Sequence, residues 1–324
     1  MKKISLIATG GTIASVKDRE GLAIETLTAE EMVRALPSVK SIATVTATQF
    51  GNIASESFDF KALHELSRNI DRTISTAKPD GIVVTMGTNT MEECAYFLDV
   101  VLQTDIPVIV TGAMRNRSLP GSDADVNLHD AIVAASSDAL RSAGVVVAMN
   151  GELHHSRYVM KNHTTAVSAF SSPGHGPLGV IHGDRAIVYC QVPPREHIRP
   201  DNLTARVDLI KYCMGMDGFL LDAAVRLGAD GIVIEAFGGG NVTPASVPAI
   251  QTAISGGVVV VMVSRCIGGE LLADTYATQG GEAHLKELGV IFASGMSGVK
   301  ARIKLALALS SALSTAHIRT LFER

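Results

Sequence analysis

Short apolar strands alternate with helical segments along this 324-residue chain, and this alternation constrains the fold most strongly. The strand-like runs are rich in Val and Ile, which is typical of strands buried on both faces. They occupy residues 4–9, 81–85, 107–112, 144–149, 231–237 and 258–264. The clearest helical patterns between them are at 29–36, 58–75, 91–103 and 127–138. The alternation predicts an α/β fold built from right-handed β–α–β units, with a mainly parallel sheet sandwiched by helices.

The segment at 191–208 divides the chain, because its three prolines and clustered charges suit neither a helix nor a strand. A single core stops growing at roughly 250–300 residues, so a chain of this length favours two domains. We therefore predict a larger N-terminal domain at 1–192, which carries the parallel sheet. A linker at 193–207 then leads to a smaller α/β C-terminal domain at 208–324.

The composition argues against several classes of partner and site. A net charge of −4 argues against a nucleic-acid surface. No apolar run of about 18 residues and no signal-peptide pattern occurs, so we expect a cytoplasmic protein without a membrane partner. The four cysteines lack CxxC spacing, which favours buried free thiols. His154, His155 and His163 lie close together in the sequence but have no convincing fourth ligand, so no metal site is expected.

Hydroxyl side chains cluster where two of the buried strands end. Thr9 and Thr12 flank a Gly-Gly pair after the first strand, and Thr85, Thr88 and Thr90 surround the next turn. One such turn is explained by helix capping alone. Two of them in one sheet favour a shared pocket, because ligands bind at the carboxyl ends of parallel strands. Neither turn matches GxGxxG or a Walker sequence, so we expect no nucleotide and no other cofactor.

Several sequence stretches, which follow one another in the family's order along nearly the whole chain, resemble those of the bacterial-type L-asparaginases of the asparaginase/glutaminase family. The hallmarks are TGGTIAS at 9–15 and TMGTNTMEECAYFL at 85–98. The similarity continues through 110–115, 122–135, 158–179, 235–242 and 299–309. The resemblance implies the two-domain α/β fold, a homo-oligomer (dimer or tetramer), and hydrolysis of a small amide through a threonine nucleophile and an acyl-enzyme.

Residue-by-residue matching to the family's motifs assigns the site. Thr12 corresponds to the nucleophile, Thr88 to a second catalytic threonine, and Lys161 to the lysine that forms a relay with Thr88. Ser55 and Glu56 match the positions that hold the substrate's carboxylate and amine. The remaining substrate-binding positions are Gly11, Gly87, Ala113 and, contributed by a neighbouring subunit, Asn241.

These residue types fit amide hydrolysis on chemical grounds. The reaction needs a nucleophile, a base that deprotonates it, and donors aimed at the developing oxyanion. A lysine can act as the base when burial or positive neighbours lower its pKa. Backbone N–H groups at a glycine-rich turn that opens a helix supply donors for a carboxylate or an oxyanion.

Two departures from the family pattern concern the substrate. Met86 and Asn89 stand where the family has His and Asp, and Asn89, which we place among the catalytic residues, cannot carry the charge that pairs with an α-ammonium. Glu56 can supply that charge instead, and the loss of the Asp favours a neutral Lys161. The first loop, residues 13–30, also lacks the tyrosine that commonly orients the nucleophile in the family.

Three hypotheses of function follow. The first is hydrolysis of the side-chain amide of asparagine, or of a close analogue, to the acid and ammonia. The second is a hydrolase of the same fold whose substrate has no free α-amine, such as an N-substituted amide, lactam, imide or lactone. The third is a catalytically silent amino-acid-binding homologue. Stereochemistry and the choice between asparagine and glutamine stay open.

Overall fold

The computed structural model describes the chain except residues 19, 21, 26, 193, 273 and 324. It contains two compact units, Met1–His197 and Ile198–Arg324. The predicted α/β class is confirmed, with a large parallel-sheet unit first and a smaller one second.

The strands of the first unit are β1 (Lys2–Ala8), β2 (Ser15–Lys17), β3 (Ala23–Glu25), β4 (Ala43–Gln49), β5 (Gly81–Thr85), β6 (Val108–Thr111), β7 (Val145–Met149), β8 (Glu152–His155), β9 (Met160–Lys161), β10 (Phe170–Ser171), β11 (Gly179–His182) and β12 (Arg185–Val188). Its α-helices are α1 (Ala29–Arg34), α2 (Phe60–Ala77), α3 (Met91–Val101) and α4 (Ala124–Ala135). The four helical patterns of the sequence are thus confirmed, with ends that differ by a few residues.

The main sheet of the first unit has eight strands in the order β12–β11–β8–β7–β6–β5–β1–β4. The part from β7 to β4 is parallel, and β8, β11 and β12 extend it as antiparallel strands. Two small antiparallel hairpins, β2–β3 and β9–β10, lie outside this sheet. The second of these hairpins carries Lys161.

Helices cover both faces of the sheet, as predicted. On one face, α1 and α4 bury Met32 and Leu128 in a core with Leu6, Val83 and Ile109 of the central strands. Alternate strand residues point to the other face, where α3 packs against β6 and β7 and α2 packs on α3.

This placement gives one crossover the opposite hand. The connections β5–α3–β6 and β6–α4–β7 both step in the same direction across the sheet, yet their helices lie on opposite faces. The two crossovers therefore have opposite hands, and the prediction of uniformly right-handed units is wrong for one of them. The hand of a crossover is set by which face the helix packs on, and the apolar pattern of a nearly all-buried helix such as α4 does not encode that choice.

The order of strands opens a crevice at the carboxyl ends of β1 and β5. The chain passes from β1 to β4 on one side, whereas β5 lies on the other side of β1. The helices that follow β1 and β5 also lie on opposite faces. Loops that leave in opposite directions create the switch point at which open α/β sheets bind ligands. The two hydroxyl-rich turns of the sequence lie there.

The second unit is a four-stranded parallel sheet in the order β13–β14–β15–β16. Its strands are β13 (Val207–Lys211), β14 (Gly231–Ala236), β15 (Val259–Ser264) and β16 (Ile291–Phe292). Its helices are α5 (Phe219–Arg226), α6 (Val247–Ser255), α7 (Glu282–Glu287), α8 (Gly298–Ser310) and α9 (Thr315–Phe322). Its core includes Ile232, Ile234 and Ile250.

The prediction of buried thiols is wrong for most of the cysteines. Cys94 is buried on α3, but Cys190, Cys213 and Cys266 are exposed. Each of these three lies in a loop shortly after a strand ends, where the chain emerges from the core. Within the ranges that the structure describes, no helix is both long and apolar enough to cross a lipid bilayer.

Candidate active site

Three loops meet in the crevice through two glycines. A Cβ on Gly11 would overlap the backbone nitrogen of Gly87, and a Cβ on Gly87 would lie 2.6 Å from the Ser55 Oγ. Gly11 also has φ 89°, a conformation that favours glycine. The loop after β1, the turn after β5 and the short 3₁₀ turn Ser55–Ser57 therefore pack in direct contact. No larger residue at position 11 or 87 would leave this contact intact.

Thr12 lies beside this contact, at the start of the 3₁₀ turn Thr12–Ala14. Ile13 and Ala14 are buried in the core and fix the turn. The Ser15 hydroxyl donates to the Gly11 carbonyl at 3.1 Å. Thr12 itself is half-buried, and no side chain among the described residues holds its hydroxyl by a hydrogen bond. The first loop thus places a threonine hydroxyl that no other described side chain engages next to the contact between the three loops.

Thr88 and Lys161 form a direct pair. The Lys161 Nζ donates to the Thr88 Oγ1 at 2.8 Å and to the Asn89 Oδ1 at 3.3 Å. Burial lowers the pKa of Lys161, and the charge of Glu92 partly opposes this by raising it. The sequence-predicted relay residues therefore lie in contact, 73 residues apart along the chain. The lowered pKa makes a neutral lysine, and hence a base, more accessible.

Asn89 connects this pair to Glu56. Its Nδ2 donates to the Glu56 Oε2 at 2.9 Å, while its backbone N–H donates to the Ser55 Oγ at 3.1 Å. An amide with its oxygen towards the ammonium of Lys161 and its nitrogen towards a carboxylate satisfies both partners. The pKa of Glu56 is lowered by its own backbone N–H and by Asn89, so this carboxylate stays ionised at neutral pH.

Ala113 is brought to the same place by the loop after β6. A Cβ on Gly112 would lie 3.4 Å from the Thr88 Cγ2, so the backbone next to Ala113 packs against Thr88. The Asp123 carboxylate fixes the loop, since it accepts the backbone N–H of Met114 at 2.9 Å and the next N–H at 2.8 Å. Sequence reasoning missed Asp123. Its signal was an acidic residue just before α4, in a stretch already noted for its resemblance.

The two residues that depart from the family's second motif, Met86 and Asn89, have different environments. Met86 is completely buried, and its backbone N–H donates to the Thr111 carbonyl at 2.9 Å, so Met86 is a packing residue of the turn. Asn89, in contrast, has both ends of its amide engaged with charged side chains. In the first loop, the backbone N–H of Lys17 donates to the Ser118 Oγ at 3.0 Å, which ties the β2–β3 hairpin to the loop after β6.

Asn241 lies in the second unit, where it closes a tight turn. Its backbone N–H donates to the Phe237 carbonyl at 3.1 Å, and the Phe237 N–H donates back to the Asn241 carbonyl at 3.0 Å. The side chain is half-buried. Its predicted role in the site of a neighbouring subunit stays a prediction.

Glu92 is a further residue of the site that sequence reasoning did not single out. Its Oε2 accepts the backbone N–H of Lys161 at 3.1 Å. The only available signal was an acidic first turn on the helix that follows Thr88. As for metals, the described part of the chain contains no group of three or more His, Cys, Asp or Glu side chains able to hold an ion.

The chain is similar to known proteins along most of its length. The family model "Asparaginase, N-terminal" matches residues 3–193, and "Glutaminase/Asparaginase C-terminal domain" matches residues 206–322. The chain is 37% identical to the L-asparaginase of Bacillus licheniformis over 96% of both chains. It is also 35% identical to one component of the glutamyl-tRNA(Gln) amidotransferase of Pyrococcus furiosus, over 93% of this chain and 70% of that protein.

A solved structure covers the whole chain. The crystal structure of a probable cytoplasmic L-asparaginase from Campylobacter jejuni superposes with a TM-score of 0.91 and 28% identity, covering 100% of both chains. Family models match both units of the chain. Relatives above 30% identity extend over nearly its full length and are members of the same family. This chain belongs to the asparaginase family.

Proposed function

We propose that this protein is an amidohydrolase that converts the side-chain amide of asparagine, or of a close analogue, to the acid and ammonia. The observation that carries the proposal is the 2.8 Å contact between the Lys161 Nζ and the Thr88 Oγ1, with Thr12 on the adjoining loop. Relatives named L-asparaginase support the reaction class.

In the first half-reaction, the Thr12 Oγ1 attacks the amide carbonyl carbon. Its proton passes through Thr88 to the neutral Lys161, and backbone N–H groups of the glycine-rich turns face the developing oxyanion. The carbon–nitrogen bond then breaks, and the leaving nitrogen takes the proton from the protonated Lys161 through Thr88, departs as ammonia and leaves Lys161 neutral again. This leaves an ester on Thr12.

In the second half-reaction, water attacks the ester carbonyl and gives its proton to the same relay. The bond to the Thr12 Oγ1 breaks, the acid leaves, and Thr12 recovers its proton. No step requires a metal or another cofactor.

Glu56 supports a substrate with a free α-amine. Its carboxylate stays ionised and is held beside Thr88 and Lys161 by the Asn89 amide. A charged acceptor in that place suits an ammonium group. The neutral Asn89 favours the second candidate, a hydrolase for substrates without an α-amine, because Asn89 itself adds no negative charge. Of the two observations, the ionised Glu56 weighs more, since it leaves an anion in the pocket.

The quaternary structure and cellular location are also proposals. We expect a homo-oligomer, a dimer or a tetramer, without nucleic-acid or membrane partners. The second unit exposes Met214, Phe219 and Leu220, large apolar side chains that a subunit interface would cover. The name of the Campylobacter jejuni relative supports a cytoplasmic location.

Ammonia release from a panel of amides tests the proposal. The panel contains L-Asn, D-Asn, L-Gln, N-acylated amides and cyclic amides, and each is assayed with the natural enzyme and with Thr12→Ala. We expect release from asparagine and its loss in Thr12→Ala, whereas Thr252→Ala, on the exposed side of α6, leaves it unchanged. Intact-mass measurement during turnover of a slow amide should show an acyl adduct on Thr12. Undiminished activity of Thr12→Ala overturns the nucleophile assignment, and no activity or adduct with any amide favours a silent binding homologue.

A further inference from the structure

The β9–β10 hairpin alone does not fix the backbone of Lys161. β9 is two residues long, and Lys161 faces Phe170 of β10. The neighbouring Asn162 N–H donates to the Ala169 carbonyl at 2.7 Å. In an antiparallel ladder the next pair along is then not hydrogen-bonded, so the Lys161 N–H points away from β10. An outward N–H on so short a strand needs a partner elsewhere.

Glu92 provides that partner. Its Oε2 accepts the Lys161 N–H at 3.1 Å. Glu92 lies in the first turn of α3, shortly after Thr88, and Thr90 is the residue immediately before the helix. The Thr90 hydroxyl in turn donates to the Ser55 carbonyl at 2.7 Å. One rigid segment therefore holds both Thr88 and the group that fixes the main chain of Lys161.

The groups that surround the Lys161 ammonium come from α3, from the turn after β5 and from the 3₁₀ turn Ser55–Ser57. From α3 there is Glu92, whose negative charge raises the pKa of Lys161 against the effect of burial. The turn after β5 contributes the neutral Thr88 and Asn89. The carboxylate of Glu56, on the 3₁₀ turn, is engaged by the amide nitrogen of Asn89.

We propose that Glu92 is the positioning residue of the Thr88–Lys161 pair: its carboxylate anchors the backbone from which Lys161 reaches Thr88. Glu92 also supplies the negative charge that keeps Lys161 from losing its proton too readily. The kinetic part of this inference rests on the proposed function, but the anchoring and the titration of Lys161 do not.

Two variants separate the anchor from the charge. Glu92→Gln keeps an oxygen that accepts the Lys161 N–H and removes the charge, and Glu92→Ala removes both. Glu93→Gln is the matched control, since it removes the same charge from the same helix turn. Each is assayed for kcat and KM across pH with the best amide substrate, and each is labelled with trace acetic anhydride across pH, with modification of Lys161 read by mass spectrometry.

For Glu92→Gln we expect the acid limb of kcat and the labelling midpoint of Lys161 to move to lower pH by about 0.5 or more, since a nearby anion is lost. The plateau kcat should stay within about threefold of the natural enzyme because the anchor is kept. For Glu92→Ala we expect kcat to fall by at least about tenfold with a smaller change in KM, because the relay loses its alignment.

An unchanged kcat in Glu92→Ala, or equal shifts in Glu92→Gln and Glu93→Gln, overturns the inference while leaving the proposed function intact. If the natural enzyme releases no ammonia from any amide, the proposed function fails. The labelling of Lys161 still decides the inference in that case: a midpoint lowered in Glu92→Gln alone supports it, and an unmoved midpoint overturns it.

Discussion

Asn89 lies between two charged groups of the site, Lys161 and Glu56. Its amide oxygen faces Lys161 at 3.3 Å and its nitrogen faces Glu56 at 2.9 Å. An Asp at this position would be an anion towards both. The neutral amide therefore keeps Lys161 easier to deprotonate and keeps Glu56 as a separate, ionised acceptor.

Asn89→Asp should consequently shift the pH dependence of catalysis upwards. The new carboxylate favours the protonated form of Lys161 and raises its pKa, so the neutral base becomes available only at higher pH. We expect the acid limb of kcat to move up by about 0.5 or more. The measurement is kcat against pH on one amide. A limb that stays in place or moves to lower pH would contradict the assignment of Lys161 as the base.

Glu56→Gln tests which residue recognises the α-amine. A hydrogen bond to a charged group contributes roughly 1.5–3 kcal/mol, so KM for asparagine should rise about tenfold or more. KM for an N-acetylated amide should change little, because that substrate has no ammonium. Glu65→Gln, on α2 and outside the site, is the charge-matched control. Equal increases for both substrates would mean that Glu56 acts through the shape of the pocket.

At the scale of elements, the contact between Gly11 and Gly87 holds the loop after β1 against the turn after β5. Gly151 has a positive φ of 77° with open space around it, whereas a Cβ at Gly11 meets Gly87. Gly11→Ala and Gly151→Ala should both lose about 1–2 kcal/mol of unfolding free energy, because a Cβ is disfavoured at positive φ. Gly11→Ala should lose more, together with most of the activity, because its loop must move away. Urea unfolding and kcat measure the two effects, and equal behaviour of the two variants would argue against the contact.

The sequence predicted those elements whose burial leaves a strong pattern. The strands β1, β5, β6, β7, β14 and β15 are apolar runs rich in Val and Ile, and all were predicted. β4 was missed because it is largely exposed at the edge of the sheet. Thr alternates there with Ala and Val, so the strand forms no continuous apolar run. The β9–β10 hairpin was missed because two-residue strands carry no period.

The site divides in the same way. The hydroxyl-rich turns could be predicted to meet, since strand ends in a parallel sheet share an edge. Glu92 and Asp123 could not, because their roles depend on contacts with the backbones of Lys161 and Met114 that only the folded chain creates. Local sequence shows an acidic helix start in both cases, which ordinary capping explains equally well.

At the scale of the whole molecule, the expected oligomer bears on the predicted role of Asn241. The resemblance assigns it to the site of a neighbour, and the second unit exposes Met214 at 94% and Phe219 at 65%, as expected of a surface that another copy covers. If two subunits share each site, mixed oligomers of two inactive variants can regain activity. Two inactive variants with defects on different units can restore one another.

Thr12→Ala and Asn241→Ala should each abolish most of the activity alone and recover it when co-expressed. In a mixed dimer one site collects both defects and the other collects neither, so about one half of the sites in the purified mixed dimer are intact, compared with about one quarter in an unpurified random mixture. Co-purification through two different tags isolates the mixed species, and ammonia release per subunit measures it. Mixing Thr12→Ala with Lys161→Met, both in the first unit, is the control and should restore nothing. Failure of the first pair with proven mixed oligomers would place Asn241 in the site of its own chain, or outside any site.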